Sequence, residues 1–195
     1  MEQYDFRNYA LSLSFRTSKG FRLSEQIRIG LIVYSVETSR IYLIGKNTDD
    51  YYTVIPLDAI DFRSISVCKE NDPPIINNIY NSHEFTAMKR EMLNISTDKA
   101  QDVEVHFMRL RSIEDRLKRF ETVRLLDKNP AKLELNEDGT ELVYTDRIRG
   151  LDDFARFIRR FGRAALVKSP PVLCEKLMQS SQKIIELYDE DSENE

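Results

Sequence analysis

The sequence has few of the residues from which metal centres and catalytic sites are usually built. Its 195 residues include two cysteines, Cys68 and Cys174, and two histidines, His83 and His106, with no CxxC pair and no Cys/His cluster. Such distant cysteines predict neither a disulfide framework nor a zinc site, and they favour a reducing compartment. The sequence also has no P-loop, no HExxH and no Ser/His/Asp order. We therefore expect no enzyme activity, no metal and no cofactor.

Long apolar runs are missing as well. The run Ile29–Tyr34 (IGLIVY) is among the longest, and a membrane-spanning helix needs about 20 apolar residues. Residues 1–10 are mixed and polar, whereas a secretory signal is basic and then apolar. We therefore expect no membrane contact and a cytoplasmic location.

Charge of one sign is concentrated at the C-terminus. The chain has 29 Lys and Arg against 33 Asp and Glu, and six of these acids lie in residues 186–195, which contain no base. The rest of the chain is slightly basic. We predict that residues 189–195 form a solvated acidic tail.

The first third of the chain predicts β structure. Short runs rich in β-branched and aromatic residues are separated by turn-rich pieces, with no room for crossover helices. This pattern is typical of an antiparallel sheet that rolls into a small β-barrel, which we place at residues 8–68. The predicted strands are Leu11–Arg16, Gln26–Val36, Arg40–Gly45, Tyr51–Ile55 and Phe62–Val67.

The rest of the chain predicts a mixed second domain. Residues 69–101 are rich in proline and asparagine at their start and predict a linker with a short helix, Glu84–Leu93. Residues 102–188 follow the order β-α-β-β-α-β-α, which is the ferredoxin-like βαββαβ plan with an extra C-terminal helix. The predicted fold class is therefore α+β.

One strand of the first domain lines up cations and a phenol. Arg40, Tyr42 and Lys46 are evenly spaced and should share a face. A guanidinium offers a planar fork for phosphate, and a phenol can stack on a base. The alternative is that Tyr42 caps the core while the bases only keep the strand soluble. With neighbours on adjacent segments, the predicted ligand-binding residues are Arg22, Arg28, Arg40, Tyr42, Lys46 and Tyr52.

A second group of cations lies on a predicted helix, Leu151–Phe161. Its arginines follow i, i+3, i+4, i+7 spacing and form one stripe opposite an apolar side. Such a stripe can follow a phosphate backbone or meet a protein partner, and the alternative is a solvated helix face. The stripe consists of Arg156, Arg159, Arg160 and Arg163. A further basic cluster comprises Arg109, Arg111, Arg116, Lys118, Arg119 and Arg124.

Three segments carry a family resemblance. Residues 30–45 (GLIVYSVETSRIYLIG) resemble the core of the WYL domain, with Ile41-Tyr42-Leu43 in place of its Trp-Tyr-Leu triplet. Residues 55–60 (IPLDAI) resemble the closing Phe-Arg-Leu-Asp-Arg-Ile stretch of that family. Phe154–Leu173 resembles part of the C-terminal extension, named WCX, that often follows WYL domains.

The resemblance implies a function as well as a fold. It implies an SH3- or Sm-like barrel that senses a ligand, in some members nucleic acid, within bacterial transcription regulators. In those proteins a winged helix-turn-helix usually precedes the barrel, but only about ten residues precede the first strand here, too few for a three-helix reader. Promoter reading would then need a separate DNA-binding chain. Pro56 and Ala59 stand where the family has arginines, which reduces the cationic surface.

From the residues and the resemblance together we expect a ligand-sensing regulatory module. Its expected ligand is anionic, a nucleotide or a short single-stranded nucleic acid, and we expect the chain to form a homodimer. The alternative is a protein-interaction or dimerisation module without a small ligand.

Overall fold

The computed structural model describes residues 10–17, 19–36, 38–68, 79–126 and 131–192. The described residues form nine strands and four α-helices, and both sheets are antiparallel, which confirms a mixed α and β fold. Contacts divide the chain into two units: the first runs to Lys89 and includes Asn94–Thr97, and the second comprises Arg90–Leu93 and the chain from Asp98. Within these described ranges, no helix has the length and apolar character that crossing a membrane requires.

The first unit contains a five-stranded antiparallel sheet. Alternate apolar side chains of its strands form the core, because successive residues of a strand point to opposite faces. That core consists of Leu11, Leu13, Phe15, Ile27, Leu43, Ile55 and Ile60. In the order β4-β3-β2-β1-β5, the strands are β1 (Ala10–Arg16), β2 (Arg22–Ser35), β3 (Arg40–Asn47), β4 (Tyr52–Pro56) and β5 (Ile60–Val67).

This sheet does not close into the predicted barrel. Among the described residues, β4 pairs with β3 and β5 pairs with β1, but no ladder joins β4 to β5. Pro56, which lacks an N–H donor, ends β4, and a 3-10 helix at Leu57–Ala59 redirects the chain before β5 begins. The sheet therefore keeps two open edges.

Helix α1 (His83–Glu91) packs on the first sheet through its first half. Phe85 is fully buried, and its ring stacks on that of Tyr52 with 5.7 Å between centroids. A Cβ atom at position 30 would lie 2.8 Å from Cζ of Phe85, so Gly30 lets the ring approach β2 closely. The short helix predicted at Glu84–Leu93 thus covers part of the face on which the cations of β3 lie.

The second unit packs its helices on a four-stranded sheet of order β7-β8-β6-β9. Its core includes fully buried aromatic residues on both sheet and helices, such as Phe107, Tyr144 and Phe154. The last helix continues through residues 189–192, which we predicted to belong to a tail. The elements are β6 (Gln101–Met108), α2 (Arg111–Leu126), β7 (Lys132–Leu135), β8 (Glu141–Ile148), α3 (Leu151–Arg159), β9 (Ala165–Ser169) and α4 (Pro171–Ser192).

Arg124, which we grouped with surface cations, lies in the core of the second unit with 4% of its area exposed. Its Nε donates to Oδ2 of Asp146 at 2.8 Å, and its Nη1 donates to the carbonyl of Met92 at 2.7 Å. The hydroxyl of Tyr144 donates to the same carboxylate oxygen at 2.7 Å. Burial raises the pKa of Tyr144, so this phenol remains a donor. The assignment of Arg124 to a basic surface was therefore wrong.

Candidate anion-binding surfaces

Five of the six predicted ligand-binding residues fall into two separate groups. Arg40 and Lys46 share a face of β3, as the alternation predicts, but six residues at about 3.3 Å each separate them by roughly 20 Å. One group surrounds Asp50 and the other surrounds Asp58 and Asp61; we call them the Asp50 group and the Asp58 group. The first contains Arg28, Lys46 and Tyr52, and the second contains Arg22 and Arg40.

The Asp50 group is a compact network in which the cations already have anions. Lys46 pairs in register with Arg28 on β2 and with Tyr52 on β4, which places the three side by side. The Nζ of Lys46 donates to Asp50 at 3.0 Å and to Glu84 of α1 at 2.9 Å, and it lies 4.9 Å from the ring centroid of Tyr52. Arg28 donates to the other oxygen of Asp50 at 3.0 Å.

The protonation equilibria of this network favour the ionised forms. Burial, which leaves Lys46 7% exposed, lowers the pKa of its amine, but hydrogen bonds to Glu84 and Asp50 outweigh burial and the pKa is raised. The hydrogen bond from Lys46, with the charges of Lys46 and Arg28, lowers the pKa of Asp50. Burial raises the pKa of Tyr52, so this phenol stays neutral. Lys46 is therefore held under α1 by two carboxylates and is poorly placed to meet a ligand.

The Asp58 group is open to solvent. Arg40 donates to Oδ2 of Asp58 through Nη2 at 2.6 Å and through Nε at 3.0 Å, and its side chain is 48% exposed. Arg22 donates to Asp61 at 2.8 Å. The hydrogen bond to Asp58, and then its charge, raise the pKa of Arg40. Exposed pairs of this kind are worth little in free energy, so a phosphate can exchange with the aspartates.

A shallow cavity of about 280 Å³ adjoins the Asp58 group. Phe15 and Ile60 give it an apolar floor, and both aspartates with Arg22 give it a polar rim. Its lining is Phe15, Arg16, Arg22, Asp58, Ala59, Ile60 and Asp61. Concave sites that combine an apolar floor with a few charged groups are typical of ligand pockets.

Tyr42 interacts with Arg40 rather than with a carboxylate of either group. Its side chain is half-buried, and its hydroxyl donates to Oγ1 of Thr38 at 3.0 Å. Thr38 lies in the turn that connects β2 to β3, so this bond orients the ring within its own hairpin. The stacking role of Tyr42 stays a prediction.

The arginine stripe of the second unit differs in its partners. Arg156 donates to Asp153 at 2.8 Å one turn earlier in α3. Arg159, Arg160 and Arg163 are exposed, and within the described ranges none of them forms a salt bridge. Arg159 is the last residue of α3, and Arg160 and Arg163 follow it. Between these two, Gly162, with a φ of 53°, turns the chain toward β9.

The residues that the sequence reasoning missed are the carboxylates. Asp50, Glu84, Asp58 and Asp61 decide whether each predicted cation is available, and none was assigned to the site. A local signal existed only for Asp50, which lies four residues beyond Lys46 across a tight turn closed by the bond from Asp50 N to the carbonyl of Asn47. The other pairs join residues up to 39 positions apart, which no local pattern predicts.

In the part of the chain that the structure describes, no group of three or more His, Cys, Asp or Glu residues could hold a metal ion. His106 lies between two glutamates, with Nε2 at 2.8 Å from Glu104 and Nδ1 at 2.8 Å from Glu141. These bonds link neighbouring residues of β6 and β8 on one face of the sheet.

Comparisons with known proteins show two similarities, one to a domain family over residues 95–185 and one to the fold of a solved structure. The family model of the WCX domain matches residues 95–185. Among solved structures, a CRISPR Cas-related protein is similar, with a TM-score of 0.61, 10% identity, and coverage of 95% of this chain and 49% of that chain. The proteasome accessory factor PafBC of Arthrobacter aurescens matches with a TM-score of 0.31 and 14% identity over 88% of this chain and 24% of that chain.

The chain therefore spans about half of one of these proteins and a quarter of the other. A search of curated proteins finds no match. The likeness to the Cas-related protein shows a shared fold, and the family match shows similarity to the WCX domain over residues 95–185.

Proposed function

We propose that the chain, whose residues 95–185 match the family model of the WCX domain, is the ligand-sensing regulatory module of a bacterial transcription regulator. The family match is the observation that carries the proposal. The first unit binds an anionic ligand, such as a nucleotide or a short single-stranded nucleic acid. A separate DNA-binding chain reads the promoter.

The architecture supports this proposal. We assign the second unit to the ferredoxin-like plan, because its βαββαβ order with the sheet order β7-β8-β6-β9 agrees with that plan. We assign the first unit to the SH3- or Sm-like class in an opened form, because its five-stranded sheet packs around one apolar core.

The ligand binds at the Asp58 group. Arg22 and Arg40 are exposed there, and their aspartate partners are themselves more than 40% exposed. Arg22 lines the cavity, and Arg40 bonds Asp58, which also lines it. A phosphate can replace a carboxylate on a guanidinium with the same bidentate geometry. The phenol of Tyr42, two residues from Arg40 on the same face of β3, supplies the stacking surface. Lys46, under α1, acts on the site by holding the sheet and α1 together.

Fluorescence anisotropy with labelled 12-nucleotide single-stranded DNA, and competition by ATP, tests this assignment on the full chain. We expect the Arg40→Ala/Tyr42→Ala variant to lose at least about tenfold in affinity, since one phosphate contact and one stacking contact together supply more than 1.4 kcal/mol. The matched control is Lys99→Ala/Tyr51→Ala, which removes an exposed cation and an exposed phenol that take no part in the Asp58 group. Binding that survives in the first variant, with an unchanged thermal unfolding midpoint, contradicts the assignment.

A second candidate function is a protein-interaction or dimerisation module without a small ligand. It is favoured by the last turns of α4, where every side chain from residue 181 to residue 188 is exposed. Four of these are large and apolar: Ile184, Ile185, Leu187 and Tyr188. Sedimentation of the full chain distinguishes the two, because an Ile185→Asp variant should convert a dimer to a monomer only if this helix is the interface.

A further inference from the structure

The second unit carries cations in a different state from those of the first unit. Arg159 and Arg160 end α3, and Arg163 lies in the 3-10 turn that follows. The two aspartates at the start of α3 already have partners, since Asp152 accepts a bond from Lys176 at 2.7 Å and Asp153 accepts one from Arg156.

The fold adds two arginines of α2 to this place. The guanidinium carbon of Arg116 lies 4.6 Å from the ring centroid of Phe161, the residue between Arg160 and Gly162. Phe107, near the end of β6, pairs with Ala165 of β9. The chain that leads from β6 to Arg111 therefore starts beside the residues that follow Arg163. One end of the unit thus gathers five arginines: Arg111, Arg116, Arg159, Arg160 and Arg163, which we call the arginine pole.

The acidic side chains of α2 do not neutralise the pole. Glu114 is bonded to Lys118 at 2.6 Å, and this bond lowers the pKa of the glutamate. Asp115 is the other acid of the first turns of α2, and its backbone carbonyl accepts a bond from Nε of Arg119 at 3.1 Å. Among the described residues, no salt bridge ties any of the five arginines of the pole to a carboxylate.

We propose that the arginine pole is a binding surface for the phosphate backbone of nucleic acid, separate from the ligand site of the first unit. The composition supports phosphate, because all five cations are arginines, whose planar fork matches phosphate oxygens bidentately. Arg160 and Arg163 are separated only by Phe161 and Gly162, so their long side chains can reach neighbouring phosphates. The proposal builds on the regulatory function, but it does not require a ligand at the Asp58 group.

The exposed apolar residues at this end fit the same partner. Met108 and Leu110, which connect β6 to α2, are 51% and 50% exposed. Apolar side chains beside a row of phosphate contacts can pack on bases of a single strand. An acidic protein partner is the competing class, and it is an outcome of the experiment below.

The experiment measures anisotropy of a labelled 20-nucleotide single-stranded DNA with the full chain over a range of salt concentrations. Each phosphate contact contributes about 0.7 to the slope of log affinity against log salt for a single strand. We expect the variant Arg159→Gln/Arg160→Gln/Arg163→Gln to lower the magnitude of this slope by about 2 and to weaken binding about 10- to 100-fold at low salt. The control variant Lys99→Gln/Lys132→Gln/Lys183→Gln removes the same charge from exposed positions of the second unit that do not belong to the pole, and it should leave the slope nearly unchanged.

Each outcome decides the question. Equal losses in the two triple variants, or no binding by the unmodified chain, overturn the proposal. Tighter binding of labelled poly-glutamate than of DNA, lost in the arginine variant, also overturns it and assigns the pole to an acidic protein. Binding that is lost in Arg40→Ala/Tyr42→Ala but retained in the arginine variant overturns the pole and supports the ligand site of the first unit. Binding that is retained in Arg40→Ala/Tyr42→Ala but lost in the arginine variant supports the pole and contradicts that ligand site.

Discussion

The arginines of the two candidate surfaces have different surroundings. In the first unit Arg22, Arg28 and Arg40 each bond an aspartate. In the second unit Arg159, Arg160 and Arg163 extend from the end of α3 without a salt bridge to any described residue. Judged only by the number of positive charges, the two surfaces would look equally able to bind an anion. The difference teaches that the availability of a cation depends on its nearest carboxylate, which the fold supplies.

Arg124 shows a third state, because it is a buried cation whose anion is also buried. Its partner Asp146 has a fully buried side chain, and the pair is satisfied by further bonds to Tyr144 and to backbone carbonyls. Arginines of one sequence cluster therefore serve the core in one case and the surface in others.

Breaking the buried pair should have the largest effect. Arg124→Met leaves the carboxylate of Asp146 buried without its cation, which typically costs about 3–5 kcal/mol of unfolding free energy. Urea unfolding followed by circular dichroism measures the change. Arg40→Met, which breaks an exposed pair, is the matched control and should have a far smaller effect. If the two variants unfold at the same urea concentration, the contrast between buried and exposed pairs is wrong.

The double variant Arg124→Met/Asp146→Leu sharpens this comparison. It removes both charges, so no uncompensated ion remains, and apolar replacement of a buried pair is often close to neutral. We expect it to be more stable than Arg124→Met alone. A double variant that is less stable than the single one would show that the bonds to Met92 and Tyr144 matter more than the charges.

The next largest effect on stability concerns the packing of α1 over the Asp50 group. Gly30→Ala would place a methyl group 2.8 Å from Cζ of the buried Phe85 ring, and overpacking of this kind costs about 1–3 kcal/mol. Unfolding of the full chain measures the loss. The control is Gly30→Ala/Phe85→Leu, in which the shorter side chain makes room. A double variant whose loss equals the sum of the two single losses would contradict the contact.

The sequence predicted some of these features because they follow from local periodicity. Arg40, Tyr42 and Lys46 do share a face of β3, as the alternation of a strand requires. The buried pair was also open to prediction: Arg124 lies at helical spacing with Ile113, Leu117 and Phe120, and Asp146 alternates with the buried Leu142 and Tyr144. A cation and an anion that both occupy positions where the periodicity of their element predicts buried apolar residues indicate an internal ion pair.

The open sheet and the division of the ligand residues could not be predicted in this way. Whether β4 meets β5 depends on pairing across the whole unit, and the pattern of short strands is the same in both cases. The separation of Lys46 from Arg40 follows from strand length, but its burial follows from Glu84 and Phe85 on α1, which lie about 40 residues later in the chain. Long-range contacts of this kind leave no periodic signal.

The smallest predicted effect concerns the pH dependence of the Asp50 group. Lys46 and Arg28 lower the pKa of Asp50 in the folded chain, so its ionised form stabilises the fold at pH values above the ordinary carboxyl pKa of about 3.9. This contribution is lost as the pH falls through the lowered value, because both states then bind the proton. Unfolding free energies of the unmodified chain and of Asp50→Asn should therefore differ at pH 7 and converge in acid. Asp49→Asn, in the same turn, is the control; a gap that persists below the lowered pKa would mean that Asp50 acts through packing or neutral hydrogen bonds and that its pairing with Lys46 is incidental.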